Sequence, residues 1–261
     1  MSDRVSSQNQ HICPACRRPL RPEALFCTAC GYSERVKPAS DIPQYVKSTA
    51  LFATHWLVIK SVGWLFGLLL LSLFVGGEVT HVVSSPWIEV IITGINALII
   101  LGFVLWRFRD ISSLLVFPKL KLRLFLELSG MAILFMAVSA GYFVLLERTG
   151  VPIGQSTAIF SKYQWPVWSM YLMISVFPGI FEELAFRGYI QTELERILGE
   201  YEAWLIQAAL FSVLHLLPLM FPSHFLMGLC FGFMRLRSKS IYPGMLLHAS
   251  WNALVLFQEL K

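Results

Sequence analysis

An all-α, polytopic membrane fold with about seven transmembrane helices is predicted by three observations. Of the 261 residues, 56% are hydrophobic and only 14% are charged, whereas charged residues make up about 25% of an ordinary soluble domain. The mean hydropathy is +0.63. The apolar residues also fall into runs near the ~20-residue length that crosses a bilayer as a helix.

Those runs give candidate spans at 61–80, 88–106, 124–146, 166–187, 203–219, 222–235 and 241–258, the sixth of them short. The stretch 1–60 differs: it is polar and holds Pro14, Pro19, Pro22, Pro38 and Pro43 and every cysteine except Cys230. It lacks an apolar core followed by a small-residue cleavage site, so no signal peptide is expected. Residues 35–60 read as a linker, with Pro38, Ser40 and Pro43 marking the tether. Within it Val46, Leu51, Phe52, Trp56 and Ile59 alternate with polar positions, the pattern of an interfacial helix or of a lead into the first span.

The net charge of +5 would suit a nucleic-acid partner, but its distribution points elsewhere. With the amino terminus in the cytosol, Arg107, Arg109, Lys119, Lys121, Arg123, Arg187, Arg196, Arg235, Arg237 and Lys239 fall on the inner side, and only Arg148, Lys162 and Lys261 fall outside. That bias is the positive-inside rule. The basic balance therefore records topology, no nucleic-acid partner is expected, and the chain reads as an integral protein of the plasma (inner) membrane with lipid as its surroundings.

Residues 1–34 carry Cys13 and Cys16 as one CxxC pair, then Cys27 and Cys30 as a second. Two such turns each present both sulfurs to one point, and four thiolates close a tetrahedral zinc site. Metal binding would also supply the folding energy that so short a polar segment cannot draw from a core. A redox dithiol is the weaker reading, because it rarely comes as two matched pairs. The segment resembles the small zinc-ribbon modules at the ends of many microbial proteins, including Phe26 before the third cysteine and Gly31 after the fourth. His11 reads as a solvated residue beside a filled tetrahedron, and Cys230, alone in an apolar span, as a small buried side chain.

Ionisable groups inside the apolar spans need a physical reason, since a charge at a helix centre costs roughly 2.5–3.5 kcal/mol even on insertion scales. Glu182, Glu183 and Arg187 share one span, His215 lies on the next, and His248 and Asn252 lie on the last. Positions four apart share a helix face, which aligns Glu183 with Arg187, Phe211 with His215, and His248 with Asn252. Three spans thus each direct polar groups at something, most economically at one another around a wet cavity. A carboxylate there can take a proton from water, while imidazoles and an amide orient that water or stabilise an oxyanion. Ser175, Ser212 and Ser250 are weaker candidates, because serines in membrane helices commonly bond to backbone. Glu182, His215 and His248 are also a candidate donor set for a catalytic metal. His81 and His224 read as interface or packing residues. The Gly228/Gly232 pair permits a close helix contact.

The strings EELAFRGYIQTEL (182–194), FSVLH (211–215) and HASWN (248–252), in this order, resemble the EExxxR, FxxxH and HxxxN motifs of the CAAX prenyl protease and bacteriocin-processing (CPBP or Abi) intramembrane proteases. The resemblance covers about 125–258, the expected protease core within a membrane domain at 61–258. It implies an endopeptidase in which Glu182 activates water with His215 assisting, His248 and Asn252 position the water or stabilise the oxyanion, and Glu183 and Arg187 form a supporting pair. The implied partner is a peptide or protein substrate, lipidated or membrane-embedded. Two other functions fit less well: a silent scaffold or immunity-type protein that binds peptides in the same cavity, and a proton-coupled carrier. A carrier predicts an internal repeat that the two halves do not show.

Depth offers a check on convergence. Glu182, on the span that begins at Pro166, should lie roughly 24 Å from the outer side, and His248 ~10 Å from the cytosolic side. His215 comes out deeper, at ~18 Å, if its span begins at residue 203.

Overall fold

The computed structural model describes residues 11–12, 19–20, 42–57, 85–150, 155–215 and 217–261. The four cysteines of the expected ribbon, the span expected at 61–80, Ile59 and His81 lie outside the described residues. A short antiparallel pair, β1 (His11–Ile12) with β2 (Pro19–Leu20), sets His11 opposite Leu20. The remaining described elements are helices.

Helix α1 (Ile42–Leu57) sorts the apolar residues of the expected interfacial helix into two groups. Val46 and Leu51 stay exposed, whereas Phe52 and Trp56 are buried in the protein. Phe52 meets the Phe103 ring edge-on at 5.0 Å and Tyr189 at 5.1 Å, and Trp56 meets Phe186 at 5.7 Å. Aromatic contacts of this kind add ~0.5–1.5 kcal/mol each beyond the area they bury, so α1 docks on the helical core.

Four segments among the described residues are long and apolar enough to cross a membrane: α2 (Pro86–Trp106), α3 (Leu122–Arg148), α4 (Val167–Ile197), and Pro218–Ser238, a 3₁₀ turn leading into α6 (Phe221–Ser238). The chain is an integral membrane protein. Among the described residues two further long helices join the bundle. The first, α5 (Glu200–Val213), has only 14 residues, and α7 (Tyr242–Glu259) carries His248, Asn252, Gln258 and Glu259 against its apolar residues.

The expectation that the fourth span ends at residue 187 is corrected, because α4 continues to Ile197. Its last turns are polar in sequence, which hid them from a hydropathy reading. They are buried here by ion pairs: Arg107 Nη2 donates to Glu193 Oε2 at 3.1 Å, and Arg235 pairs with Glu195. Gly199, at φ 104°, then turns the chain into α5, a backbone conformation that costs glycine little and other residues much. This shift resolves the depth mismatch. The run from Glu182 down to Ile197 is as long in sequence as the run from Glu200 back up to His215. An antiparallel return of equal length, ~22 Å each way at about 1.5 Å per residue, brings His215 back level with Glu182.

Helices α5 and α6 pack backbone to backbone. A Cβ on Gly228 would stand 2.7 Å from Ala208 Cα, and one on Gly232 would meet Trp204 and Gln207. Across this contact Gln207 Nε2 donates to Gly228 O at 2.8 Å and Trp204 Nε1 to Leu229 O at 2.7 Å. Small residues that admit such approach are the usual means of helix association in lipid. The turn from α6 to α7 uses Lys239 in the left-handed conformation, and Ile241 N donates to Leu114 O at 3.1 Å.

Candidate active site

The helix that carries both glutamates is irregular where it matters. Within α4, π-helical turns at Tyr171–Val176 and Leu184–Ile190 flank the α-helical turns Phe177–Glu183. Such turns are rare and concentrate at functional sites, because the inserted residue re-aims the side chains beyond it. Pro178 adds a second perturbation. It has no N–H, so the Ile174 carbonyl four residues back lacks its α-helical donor. Asn252 of α7 supplies one, its Nδ2 donating to Ile174 O at 3.1 Å. One turn away Ser175 Oγ donates to Ala249 O at 2.7 Å, and a Cβ on Gly179 would lie 2.9 Å from Ala249 Cβ. These contacts hold α7 against α4 at the level of the glutamates.

Glu183 and Arg187 form a fully buried ion pair, Arg187 Nη1 donating to Glu183 Oε1 at 2.7 Å. Removing two charges from water costs several kcal/mol per ion unless their other bonding capacity is met, and here it is met in part, since among the described residues Glu183 Oε2 and Arg187 Nε have no hydrogen-bond partner. Arg187 Nη2 donates to the carbonyls of Met227 and Gly228, both at 3.4 Å. The guanidinium carbon lies 4.5 Å from the Phe211 ring centre and 5.2 Å from that of Phe231, within cation–π range. Phe211 therefore serves as a shelf for Arg187 as well as packing. Glu183 Oε2 sits where a Cβ on Gly244 would stand 2.7 Å away, so that glycine makes room for the carboxylate.

The same Glu183 Oε1 orients His248, whose Nδ1 lies 3.0 Å from it. A carboxylate only accepts, so Nδ1 carries the hydrogen and the other ring nitrogen of a neutral His248 is bare. His215 is set the same way by its own helix: Nδ1 donates to Phe211 O at 2.5 Å. Both Nε2 atoms then turn to Glu182. His215 Nε2 lies 3.6 Å and His248 Nε2 4.0 Å from Glu182 Oε2. These separations exceed direct hydrogen bonds and suit a shared small molecule such as water. Glu182 is 8% exposed and His248 2% exposed, so the meeting point is enclosed.

The structure thus gathers Glu182, Glu183, Arg187, His215 and His248 at one place, with Asn252 at its edge on the Ile174 carbonyl. Sequence reasoning missed Gly244, Phe231 and the Met227 and Gly228 carbonyls, since the need for a missing Cβ or a spare carbonyl arises only once helices meet. His224, expected at the interface or in packing, does pack here. Its ring lies 4.2 Å from that of His215, with Nδ1 donating to Met220 O at 2.9 Å. Ser212 Oγ donates to Phe221 O at 2.7 Å. Cys230 is buried, with Met131 O as the partner of its thiol.

For a catalytic metal, Glu182 with two bare imidazole nitrogens is a zinc-type donor set. Among the described residues, however, no three His, Cys, Asp or Glu side chains are gathered closely enough to hold an ion.

Residues 164–254 match the family model of the Rce1-like type II CAAX prenyl endopeptidases. This stretch, about a third of the chain, contains all six residues singled out above and runs from the start of α4 into α7. No curated protein and no solved structure matches the chain. The match, together with four apolar helices, supports a membrane protease acting on peptides in a lipid environment.

Proposed function

We propose that the protein is an intramembrane endopeptidase of the CAAX-protease type that hydrolyses a peptide bond with water activated by Glu182. The observation that carries this reading is the approach of two Nε2 atoms, from α7 and the end of α5, to one carboxylate oxygen of α4 at 3.6 and 4.0 Å. A water held there gives one hydrogen to Glu182 and the other to His215 Nε2, which leaves its oxygen lone pair free for the substrate carbonyl. Glu182 takes the proton as the oxygen attacks and returns it to the departing amine. The bare Nε2 of His248 faces the same point and helps to position the water. Glu183 and Arg187 hold that ring, and Asn252 fixes α7 through Ile174 O.

Around this centre we infer seven spans, an amino terminus in the cytosol of a plasma-membrane protein, and a structural zinc ion on Cys13, Cys16, Cys27 and Cys30. The β1–β2 pair flanks the first CxxC in sequence. The substrate is a peptide or protein segment, lipidated or membrane-embedded.

The test is Glu182→Gln, assayed on a fluorogenic farnesylated CAAX peptide with purified protein in detergent. Cleavage should fall at least about a thousandfold, in line with loss of a general base, while the unfolding profile stays that of the parent. Turnover equal to the parent's would remove Glu182 from the chemistry. A parent that binds the peptide without cutting it would make the protein a binding scaffold.

A further inference from the structure

Helix α4 is sealed on one side of Glu182 and open on the other. From Glu182 to Gln191 every residue is buried, a packed run of about 14 Å at 1.5 Å per residue. From Met173 to Phe181 only Ser175 and Gly179 are buried, the two that meet Ala249 of α7. A cavity of about 380 Å³ follows the open side. On α4 its wall runs from Glu182 back to Met173, and on α2 from Ile100 back through Thr93 to Glu89. Ser156, which is exposed and lies just ahead of the short helix Ala158–Lys162, belongs to the same lining. Among the described residues, none from α5, from α6 or from α4 beyond Glu182 lines it.

The direction of the cavity follows from its ends. The rings of Trp87 and Trp165 meet at 5.1 Å, so α2 and α4 begin at the same end of the bundle. The opposite end holds the ion pairs of Arg107 with Glu193 and of Lys239 with Glu200. The cavity therefore leads from the Glu182 carboxylate, whose side chain is 10% exposed, toward the helix starts and away from those charges. A hydrocarbon chain in this space would set the carboxylate and the Thr93 hydroxyl against methylenes, which costs polar groups their hydrogen bonds. Water meets both, and a partly polar cavity of this volume has room for several molecules at ~30 Å³ each. Hydrolysis consumes one water for each bond cut, so a base buried among membrane helices needs a supply.

We propose that the hydrolytic water reaches Glu182 through this cavity, from the end of the bundle where α2 and α4 begin, opposite the end that carries Arg107 and Lys239. In the orientation inferred above, that is the outer face of the membrane. Thr93 is a residue of the water path and takes no part in the bond-breaking step. The proposal rests on the reading of Glu182 as the base, and the experiment separates the two.

Cysteines are introduced one at a time into the full chain, in sealed membrane vesicles of each orientation, and treated with a membrane-impermeant charged methanethiosulfonate. Modification is read by mass spectrometry at the substituted residue. Ser156→Cys and Tyr201→Cys, both exposed and at opposite ends, report which end faces the reagent. Thr93→Cys and Glu182→Cys should be modified from the Ser156 side only, and Glu182→Cys carries the access test if Thr93→Cys misfolds. On purified Thr93→Cys, whose own activity should equal the parent's, the adduct should lower kcat on the farnesylated CAAX peptide about tenfold. Peptide affinity, measured with Glu182→Gln added, should stay within about twofold because binding and water supply are separate.

Modification from the Tyr201 side, alone or in addition, would overturn the route, as would modification from neither side. An adduct without effect on kcat would also overturn it, and one that weakens peptide affinity would make the cavity a substrate site instead. Modification from the Ser156 side in a protein whose parent cuts no peptide would keep the route and sink the protease reading. Cleavage by the parent, with Thr93→Cys and Glu182→Cys reached only from the Tyr201 side, would do the reverse.

Discussion

Arg187 shows how one side chain sets the terms for its neighbours. It is 0% exposed and bonds Glu183, two carbonyls of α6 and two aromatic faces. Replacing it with Met keeps the bulk and strips Glu183 of its counter-charge. Leaving one member of a buried pair alone costs ~3–5 kcal/mol, so Arg187→Met should unfold at markedly lower denaturant in detergent micelles. Adding Glu183→Gln to it should recover part of the loss, because the amide needs no cation. An Arg187→Met protein as stable as its parent would mean the pair is not the keystone of this corner. The residues of this pair were legible in sequence because a charge in an apolar span is conspicuous and four-residue spacing puts two of them on one face. Gly244 and Phe231 were not. Their roles depend on a Cβ that would collide with Glu183 and on a ring that faces a guanidinium from another helix, and neither feature has a sequence signature.

At the scale of elements, the α4–α7 contact explains why a proline and an asparagine on helices far apart in sequence belong together. Pro178 deprives Ile174 O of an α-helical donor and Asn252 provides one at 3.1 Å. Asn252→Ala should cost ~1–3 kcal/mol of stability, the usual penalty for stranding a buried polar group. In a Pro178→Ala background the regained N–H can serve Ile174 O, so the same substitution should cost clearly less. A double-mutant cycle on unfolding midpoints measures the difference, and equal costs in the two backgrounds would refute the link. The existence of α2, α3, α4 and α6 was readable from hydropathy. The end of α4 was not, because Gln191, Glu193, Glu195 and Arg196 look like a loop until Arg107, Asp110 and Arg235 neutralise the charges among them. The π-helical turns left no sequence trace either, since they arise from how the helix is held.

For the whole molecule, the proposal assigns a metal to the polar, cysteine-bearing head and none to the chemistry proposed at Glu182. The site is built from α4, the end of α5, and α7, with α1 docked beside it through Phe52 and Trp56. Four thiolates complete one tetrahedral zinc shell, so the purified protein should contain one zinc ion per chain. Cys13→Ser combined with Cys27→Ser should abolish that zinc, because two remaining thiolates on different turns bind too weakly to survive purification. Cleavage of the farnesylated peptide by this variant should stay within about twofold of the parent, since the groups that meet at Glu182 come from α4, α7 and the end of α5 and their transition-state contacts are left untouched. Metal content by mass spectrometry and kcat/KM on one preparation decide the matter. A parent free of zinc would refute the ribbon. If the variant still held a stoichiometric zinc ion, the ion would lie elsewhere, and Glu182, His215 and His248 would be the first place to look for it. Parallel loss of zinc and cleavage would couple the head to the chemistry, and deleting residues 1–41, which stops short of α1, would then show whether the ribbon acts as a clamp on the bundle or as a docking arm for substrate.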